Sequence, residues 1–258
     1  MPLVQASINN AIGTITLSHG RVNPLSTELI AAITTALGEM GSQGARVVIL
    51  RAPAGAKVFS AGHDVRELPT NGRDPLTYND PLRTAVRKIE TCPLPVGAMI
   101  EGSVWGGACE LVMSCDLIVA ADDATFAITP AKLGIPYNLS GVLNFMNGAD
   151  IHFIKEMLFT GEPVPATRLL ACGVINHVVP RQQLESFTLE LAKKVTEAAP
   201  LVQKIMKEEI RVLADAHPLN PEAYERIQAL RREVYDSNDY QEGISAFLEK
   251  RKPVFRGN

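Results

Sequence analysis

The sequence predicts an α/β fold in which strands and helices alternate, followed by a helical C-terminal module. Three observations support this prediction. Short apolar runs alternate with stretches of helical apolar spacing in the first half of the chain. No lysine or arginine occurs between Lys88 and Lys132, so this stretch is expected at the centre of the protein. Beyond residue 200, mixed charges surround amphipathic helical stripes, which must bury a face against the chain or against another subunit.

Two runs of alternating apolar residues predict a β-hairpin around Asn9-Asn10. The alternating positions are Val4, Ala6 and Ile8 in the first run and Ile15 and Leu17 in the second. Ser26 is the predicted N-cap of the next element, a helix. The apolar face of this helix consists of Leu29, Ile30, Ile33, Leu37 and Met40.

The central elements follow from short apolar runs separated by turn residues. Residues 47–50 and 58–60 are predicted strands, and the second leads directly into a glycine. Residues 70–81 are polar and contain one glycine and two prolines, which predicts a surface loop and a candidate lid. A helical stripe over residues 82–89 precedes another strand at residues 96–100.

A glycine-rich turn is predicted at residues 102–107. It opens a buried helix over residues 108–115, and strands follow at residues 117–121 and 125–128. We divide the chain into a core over residues 1–195 and a helical oligomerisation module over residues 196–258.

Composition and charge exclude several classes of protein. The 258 residues are 46% hydrophobic and 21% charged, which is typical of a globular protein. The net charge of −3 argues against a nucleic-acid partner. The charge-free stretch at residues 133–149 is too short and too polar to span a membrane, and the N-terminus resembles no targeting signal. Four cysteines without C-x-x-C spacing indicate reduced thiols, and we expect a cytoplasmic protein.

Motifs for bound cofactors and metals are absent from the sequence. No G-x-G-x-x-G follows a strand, no phosphate-binding lysine follows the glycine-rich turn, and no G-x-S-x-G is present. The five histidines have no cysteine or carboxylate at metal-ligand spacing. We therefore expect no metal and no separate cofactor, and chemistry that depends on backbone donors and a few side chains.

Two glycine turns share one design. The first glycine turn, residues 60–64, reads S-A-G-H-D, and the second glycine turn, residues 101–110, reads E-G-S-V-W-G-G-A-C-E; each follows a predicted strand. Glycine lets a backbone approach a ligand closely, and the start of a helix leaves N–H groups unpaired. Two such turns facing each other would direct two N–H groups at one oxygen, which is an oxyanion hole. Each turn taken alone is better explained as a tight packing turn.

Together these turns resemble the crotonase (enoyl-CoA hydratase/isomerase) superfamily. The resemblance rests on V-F-S-A-G-H-D at residues 58–64, E-G-x3-G-G-x2-E at residues 101–110 and S-C-D-L-I-V-A-A at residues 114–121. It extends from N-P-L at residues 23–25 to F-L-E-K-R-K-P at residues 247–253, which is nearly the whole chain.

The resemblance implies a spiral of stacked ββα turns, trimers or dimers of trimers, and acyl-CoA thioester substrates, with coenzyme A as part of the substrate. It also implies that the backbone N–H groups of His63 and Gly107 stabilise a thioester enolate, with the His63 imidazole more plausible as a wall of the pocket than as a base. By the same resemblance, a lysine near the C-terminus, best matched by Lys250, reaches the phosphates of coenzyme A. The residues implied to line the path of coenzyme A by backbone contact are Ala61, Gly62, His63, Asp64 and Val65.

Hydratases of the superfamily carry two glutamates, and only one is matched here. Glu110 matches the first, whereas Ala131 stands where the second is expected, in a segment one residue shorter. Adding water to a double bond needs one group to activate the water and another to move a proton, so hydration is in doubt.

Tyr137 instead resembles a residue of decarboxylating members of the family, and the resemblance implies conversion of methylmalonyl-CoA to propionyl-CoA and CO2. This reaction needs an electron sink and a contact that turns the carboxylate out of the thioester plane, and a tyrosine hydroxyl supplies one such hydrogen bond. Thr129 is a candidate to hold the same carboxylate, or it caps a turn. Glu110 is a candidate catalytic residue that is held away, protonated by burial or used to position a water.

Two alternatives remain open from the sequence. One is a hydratase or isomerase that uses the single glutamate, against which Ala131 and Tyr137 argue. The other is a scaffold of this fold that binds a CoA ester or RNA without catalysis, against which the intact glycine turns and the negative charge argue.

Overall fold

A six-stranded sheet forms one layer of the molecule. The computed structural model describes residues 2–68, 78–216 and 221–258. The strands of this sheet lie in the order β1, β2, β3, β5, β7 and β10, and all neighbours are parallel except β1 and β2. Their bounds are Val4–Asn9 (β1), Ile12–Leu17 (β2), Val47–Arg51 (β3), Val96–Ile100 (β5), Leu117–Ala121 (β7) and His177–Val179 (β10).

A second, four-stranded sheet has the order β4, β6, β8 and β9. Its strands are Val58–Ser60 (β4), Ser103–Trp105 (β6), Thr125–Ala127 (β8) and Val164–Pro165 (β9). The chain repeatedly passes from a strand of the first sheet to a strand of the second and then to a helix, as in β3–β4–α2, β5–β6–α3 and β7–β8–α4. This repeat is the ββα spiral that the sequence resemblance implies, and the α/β prediction is confirmed.

Ten helices surround the sheets in the described residues. They are Thr27–Met40 (α1), Pro81–Glu90 (α2), Gly107–Met113 (α3), Leu139–Gly148 (α4), Ile151–Thr160 (α5), Ala166–Ala171 (α6), Leu184–Glu197 (α7), Pro200–Ala214 (α8), Pro221–Tyr235 (α9) and Asn238–Leu248 (α10). Helix α7 packs across β2, β3, β5 and β7, while α1 covers β1 and β2. In α1, the Ser26 hydroxyl accepts a hydrogen bond from the Leu29 N–H, so the predicted N-cap is confirmed.

The predicted hairpin and central elements are present with small shifts. The hairpin turn lies at Asn10 and Ala11, both with positive φ, one residue later than predicted. Strand β6 lies inside the segment predicted as a continuous glycine-rich turn, because residues 103–105 pair with both β4 and β8. The predicted lid at residues 70–81 lies largely outside the described residues.

Helix α8 carries a predicted amphipathic stripe that the single chain leaves uncovered. Leu201, Ile205, Ile210 and Leu213 are all exposed. The expectation that this stripe is buried against another subunit stays a prediction. Helix α7 spans the predicted boundary between residues 195 and 196, and the division of the chain into two units also stays a prediction.

One lysine fastens α8 to the core. Lys207 Nζ donates hydrogen bonds to the carbonyl oxygens of Ile89 and Leu94 and to Asp116 Oδ2, at 2.9, 3.2 and 2.7 Å. The Lys207 side chain is 11% exposed and the Asp116 side chain 28% exposed, so the ammonium group is largely shielded from water.

Replacing Lys207 with methionine is expected to lower the free energy of unfolding by about 1–3 kcal/mol, because it leaves half-buried acceptors without a donor. Urea unfolding followed by circular dichroism measures the change. Lys204→Met, on an exposed position of the same helix, is the matched control and should change stability by less than about 0.5 kcal/mol. An equal effect of both substitutions would contradict the anchoring role.

Candidate active site

The first glycine turn leaves β4 and passes directly under the second. Gly62 has a φ of +82°, and a Cβ atom there would lie 2.4 Å from the Trp105 carbonyl oxygen and 3.1 Å from the Gly107 nitrogen. No other residue could hold the two backbones this close. The predicted facing arrangement of the two turns is therefore present.

Two backbone N–H groups meet at this crossing. Gly107 is the first residue of α3, so its N–H has no partner within the helix. Among the described residues, neither the Gly107 N–H nor the His63 N–H donates to a protein acceptor. A Cβ atom on Gly107 would lie 3.7 Å from the His63 nitrogen, so the two donors are neighbours. Neighbouring donors of this kind are one requirement of an oxyanion hole.

A small, mostly apolar cavity of about 80 Å³ opens in front of these donors. We call it the central cavity. It contains four polar candidates from the sequence analysis, namely the two backbone donors, Thr129 and Tyr137. Its lining is Ala61, His63, Val65, Leu68, Leu82, Gly106, Gly107, Thr129, Pro130, Leu133, Ile135, Tyr137 and Phe247.

Tyr137 forms one wall of the central cavity just before α4. Its ring packs edge-on against Phe145, with centroids 5.1 Å apart. The Tyr137 hydroxyl is buried and has no hydrogen-bond partner in the described part of the chain. Burial, and secondarily the Glu110 carboxylate, raises the pKa of Tyr137 well above its ordinary value, so the hydroxyl keeps its proton. A buried donor without an acceptor is costly, which indicates that a ligand supplies the acceptor.

Thr129 lies at the start of a short 3-10 helix, Pro130–Leu133, but its side chain makes no capping hydrogen bond. Its Oγ1 lies 3.2 Å from the position that a Cβ atom on Gly106 would occupy. The hydroxyl therefore faces the second glycine turn, and the geometry favours a ligand contact over turn capping.

Glu110 lies apart from the central cavity lining. Its side chain is 1% exposed and accepts a hydrogen bond from Arg83 in a buried ion pair. Burial raises the pKa of Glu110 to about 7, against the opposing effect of the Arg83 charge. Arg83, on α2, was not singled out by the sequence analysis, because nothing in its local pattern shows that it pairs with a residue 27 positions away.

The remaining candidates are Asp64, Lys250 and the side chain of His63. Asp64 is buried and binds Arg66 at 2.6 Å, and this hydrogen bond lowers the pKa of Asp64. Lys250 is exposed, with a φ of +57°, three residues beyond Phe247 of α10, which lines the central cavity. His63 contributes its imidazole to the cavity wall, where Nδ1 is buried and has no partner among described residues.

The described residues contain no cluster of three or more histidine, cysteine, aspartate or glutamate side chains that could hold a metal. Within the same residues, no helix combines the length and apolarity needed to cross a bilayer.

Comparison with known proteins identifies a family and several similar proteins. The family model for enoyl-CoA hydratase/isomerase matches residues 7–258. Methylmalonyl-CoA decarboxylase of Escherichia coli (strain K12) is 52% identical over 250 residues, covering 96% of both chains. Mouse enoyl-CoA hydratase domain-containing protein 3, a mitochondrial protein, is 34% identical over 95% of this chain and 82% of its own length.

Solved structures give the same result. A structure of methylmalonyl-CoA decarboxylase in complex with 2-nitronate-propionyl-CoA has a TM-score of 0.98 and 51% sequence identity, and the match covers 99% of each chain. A complex of methylmalonyl-CoA decarboxylase with 2S-carboxypropyl-CoA has a TM-score of 0.97, with 51% identity over 99% of this chain and 98% of that one.

Proposed function

The chain belongs to the enoyl-CoA hydratase/isomerase family, and from this premise we propose that it decarboxylates methylmalonyl-CoA to propionyl-CoA and CO2. The observation that carries the proposal is a small apolar cavity that contains the N–H groups of His63 and Gly107 and the Tyr137 hydroxyl, three donors that have no acceptor among the described residues. The 52% identity to a methylmalonyl-CoA decarboxylase supports it.

The thioester carbonyl oxygen accepts hydrogen bonds from the two N–H groups. When the bond between C2 and the carboxylate carbon breaks, its electron pair moves into the thioester and forms an enolate, while the carboxylate leaves as neutral CO2. The donors are already in place, so they stabilise the developing negative charge without reorganisation. A proton then adds to C2 and gives propionyl-CoA.

Tyr137 orients the carboxylate. Its hydroxyl donates one hydrogen bond that holds the carboxylate out of the thioester plane, where the breaking bond overlaps the carbonyl π system. A neutral donor of this kind positions the anion without neutralising it. Thr129, whose hydroxyl faces the second glycine turn, offers a second hydroxyl to the same group.

Coenzyme A binds along the backbone of Ala61 to Val65. Lys250, which lies just beyond α10, contacts the phosphates of coenzyme A. No separate cofactor and no metal takes part in this scheme. We also propose a cytoplasmic homo-oligomer, a trimer or a dimer of trimers, in which the exposed stripe of α8 becomes an interface.

Hydration with a single glutamate is the competing function. The Glu110 carboxylate is held by Arg83 and does not line the central cavity. The second glutamate position is Ala131, in the 3-10 helix. These observations favour decarboxylation.

Replacing Thr129 with valine is expected to raise KM for methylmalonyl-CoA about tenfold, because a hydrogen bond to a charged group is lost while the side chain keeps its size. Steady-state kinetics measures the change. Thr125→Val, on β8 outside the central cavity lining, is the matched control. If Thr129→Val had the same KM as the wild type, Thr129 would not contact the substrate.

The direct test of the proposed function offers the purified protein methylmalonyl-CoA and, separately, crotonyl-CoA, and follows both by mass spectrometry. We expect loss of CO2 from the first and no addition of water to the second. Hydration of crotonyl-CoA with methylmalonyl-CoA untouched would establish the single-glutamate hydratase instead. If neither compound reacts, the scaffold alternative is favoured.

A further inference from the structure

The buried ion pair between Glu110 and Arg83 lies directly behind Tyr137. The Tyr137 ring and the Glu110 carboxylate both lie next to Gly141, in the first turn of α4. A Cβ atom on Gly141 would lie 2.8 Å from Tyr137 Cδ1 and 3.1 Å from Glu110 Oε1. Because Gly141 has no side chain, the Tyr137 ring and the Glu110 carboxylate can both pack against this position. The exposed fractions of the Arg83 and Glu110 side chains are 7% and 1%.

The titratable groups around Glu110 come from three elements. Helix α2 contributes Arg83 and Glu90, together with Asp80 at its N-cap, and Cys109 is the neighbour of Glu110 on α3. Tyr137 faces Glu110 from the start of α4, and β6 carries no titratable side chain. Asn144 of α4 donates to Glu90 at 2.9 Å. Arg83 therefore compensates carboxyl groups that would otherwise repel one another.

Resting on the proposed function, we propose that Arg83 is a positioning residue that keeps the charge of Glu110 away from the substrate. The guanidinium holds the carboxylate behind the Tyr137 ring, so the Tyr137 hydroxyl donates to the substrate carboxylate and not to Glu110. Of the three roles open for Glu110, the geometry favours a carboxylate held out of the reaction.

Removal of the Arg83 charge makes this role visible in a pH profile. In Arg83→Met, the Glu110 carboxyl stays buried but loses the cation that lowers its pKa, so its pKa rises further. Below that pKa the Glu110 carboxyl group is neutral and does not repel the substrate carboxylate. Above it, an uncompensated carboxylate competes for the Tyr137 hydroxyl and repels the substrate. The kcat/KM of Arg83→Met should then fall about tenfold per pH unit above the new pKa, relative to the wild type.

The double variant Arg83→Met, Glu110→Gln is the decisive control. The amide cannot ionise, so the alkaline loss of kcat/KM should disappear and activity should recover. A purely structural role for Arg83 would give a loss that is independent of pH and not rescued by Glu110→Gln. Either a flat profile in folded Arg83→Met or failure of the rescue would overturn the proposal. If Arg83→Met does not fold, recovery of the fold in the double variant supports the proposal, and failure of both variants to fold contradicts it.

A measurement without substrate separates this inference from the proposed function. A carboxyl group with a raised folded-state pKa binds its proton more tightly when folded, so stability decreases as pH rises from the unfolded value toward the folded value. Above about pH 7, where the wild-type Glu110 carboxyl is already ionised, the midpoint of urea unfolding should keep falling with rising pH in Arg83→Met but not in the wild type, and Glu110→Gln should remove this added slope. An equal slope in both proteins would contradict the proposal, even if the wild type had no decarboxylase activity.

Discussion

Replacing Gly107 with proline is expected to lower kcat for decarboxylation by about 10²–10³, the cost of one lost oxyanion donor. Proline has no N–H, and the first position of a helix is the place where α-helices accept it best. The added ring would contact Leu82, whose Cδ2 lies 2.6 Å from the Cβ position, and this flexible side chain can move. The substitution thus removes the donor with little demand on α3.

Gly107→Ala is the matched control, since it adds the same Cβ atom and keeps the N–H. Its kcat should fall much less than that of Gly107→Pro, with circular dichroism confirming that both variants fold. If alanine and proline cost the same, crowding against Leu82 explains the loss, and the amide has no role as a donor.

Tyr137→Phe is expected to lower kcat at least tenfold while leaving the protein as stable as the wild type or slightly more stable. The activity falls because the substrate carboxylate loses the hydrogen bond that orients it. Stability does not fall because the buried Tyr137 hydroxyl has no partner in the described part of the ligand-free chain, and removal of an unsatisfied group relieves a desolvation cost of about 1–3 kcal/mol.

Steady-state kinetics and urea unfolding on the same preparation measure both quantities. Tyr78→Phe, at an exposed tyrosine, should change neither. Unchanged turnover in Tyr137→Phe would exclude the orienting role, and a large loss of stability would indicate that the hydroxyl serves the fold.

Features with a strong local signature could be predicted from the sequence. The Ser26 cap, the buried strands and the two glycine turns depend on residue types whose conformational preferences act within a few positions. Strand β6 could not be predicted this way, because its three residues, Ser103–Trp105, lie between glycines and become a strand only by pairing with β4 and β8.

The candidate site shows the same division. The positions of His63 and Gly107 followed from the glycine turns and the family resemblance, since glycine marks the close approach. The partner of Glu110 did not follow, because the Arg83 pair depends on how α2 packs against α3. Phe247 illustrates a further limit: it lines the central cavity only because α10 packs against the 3-10 helix Pro130–Leu133.

The central claim is that the enolate forms by breaking a carbon–carbon bond and not by removing a proton from C2. Decarboxylation of methylmalonyl-CoA in D2O tests it directly, with an enzyme-free sample to correct for spontaneous exchange. Cleavage without a base leaves the original hydrogen on C2 and adds one from solvent, so the propionyl-CoA product should carry a single deuterium. A product with two deuteriums at C2 would show that a base in the site removes the C2 proton first, and would contradict the account.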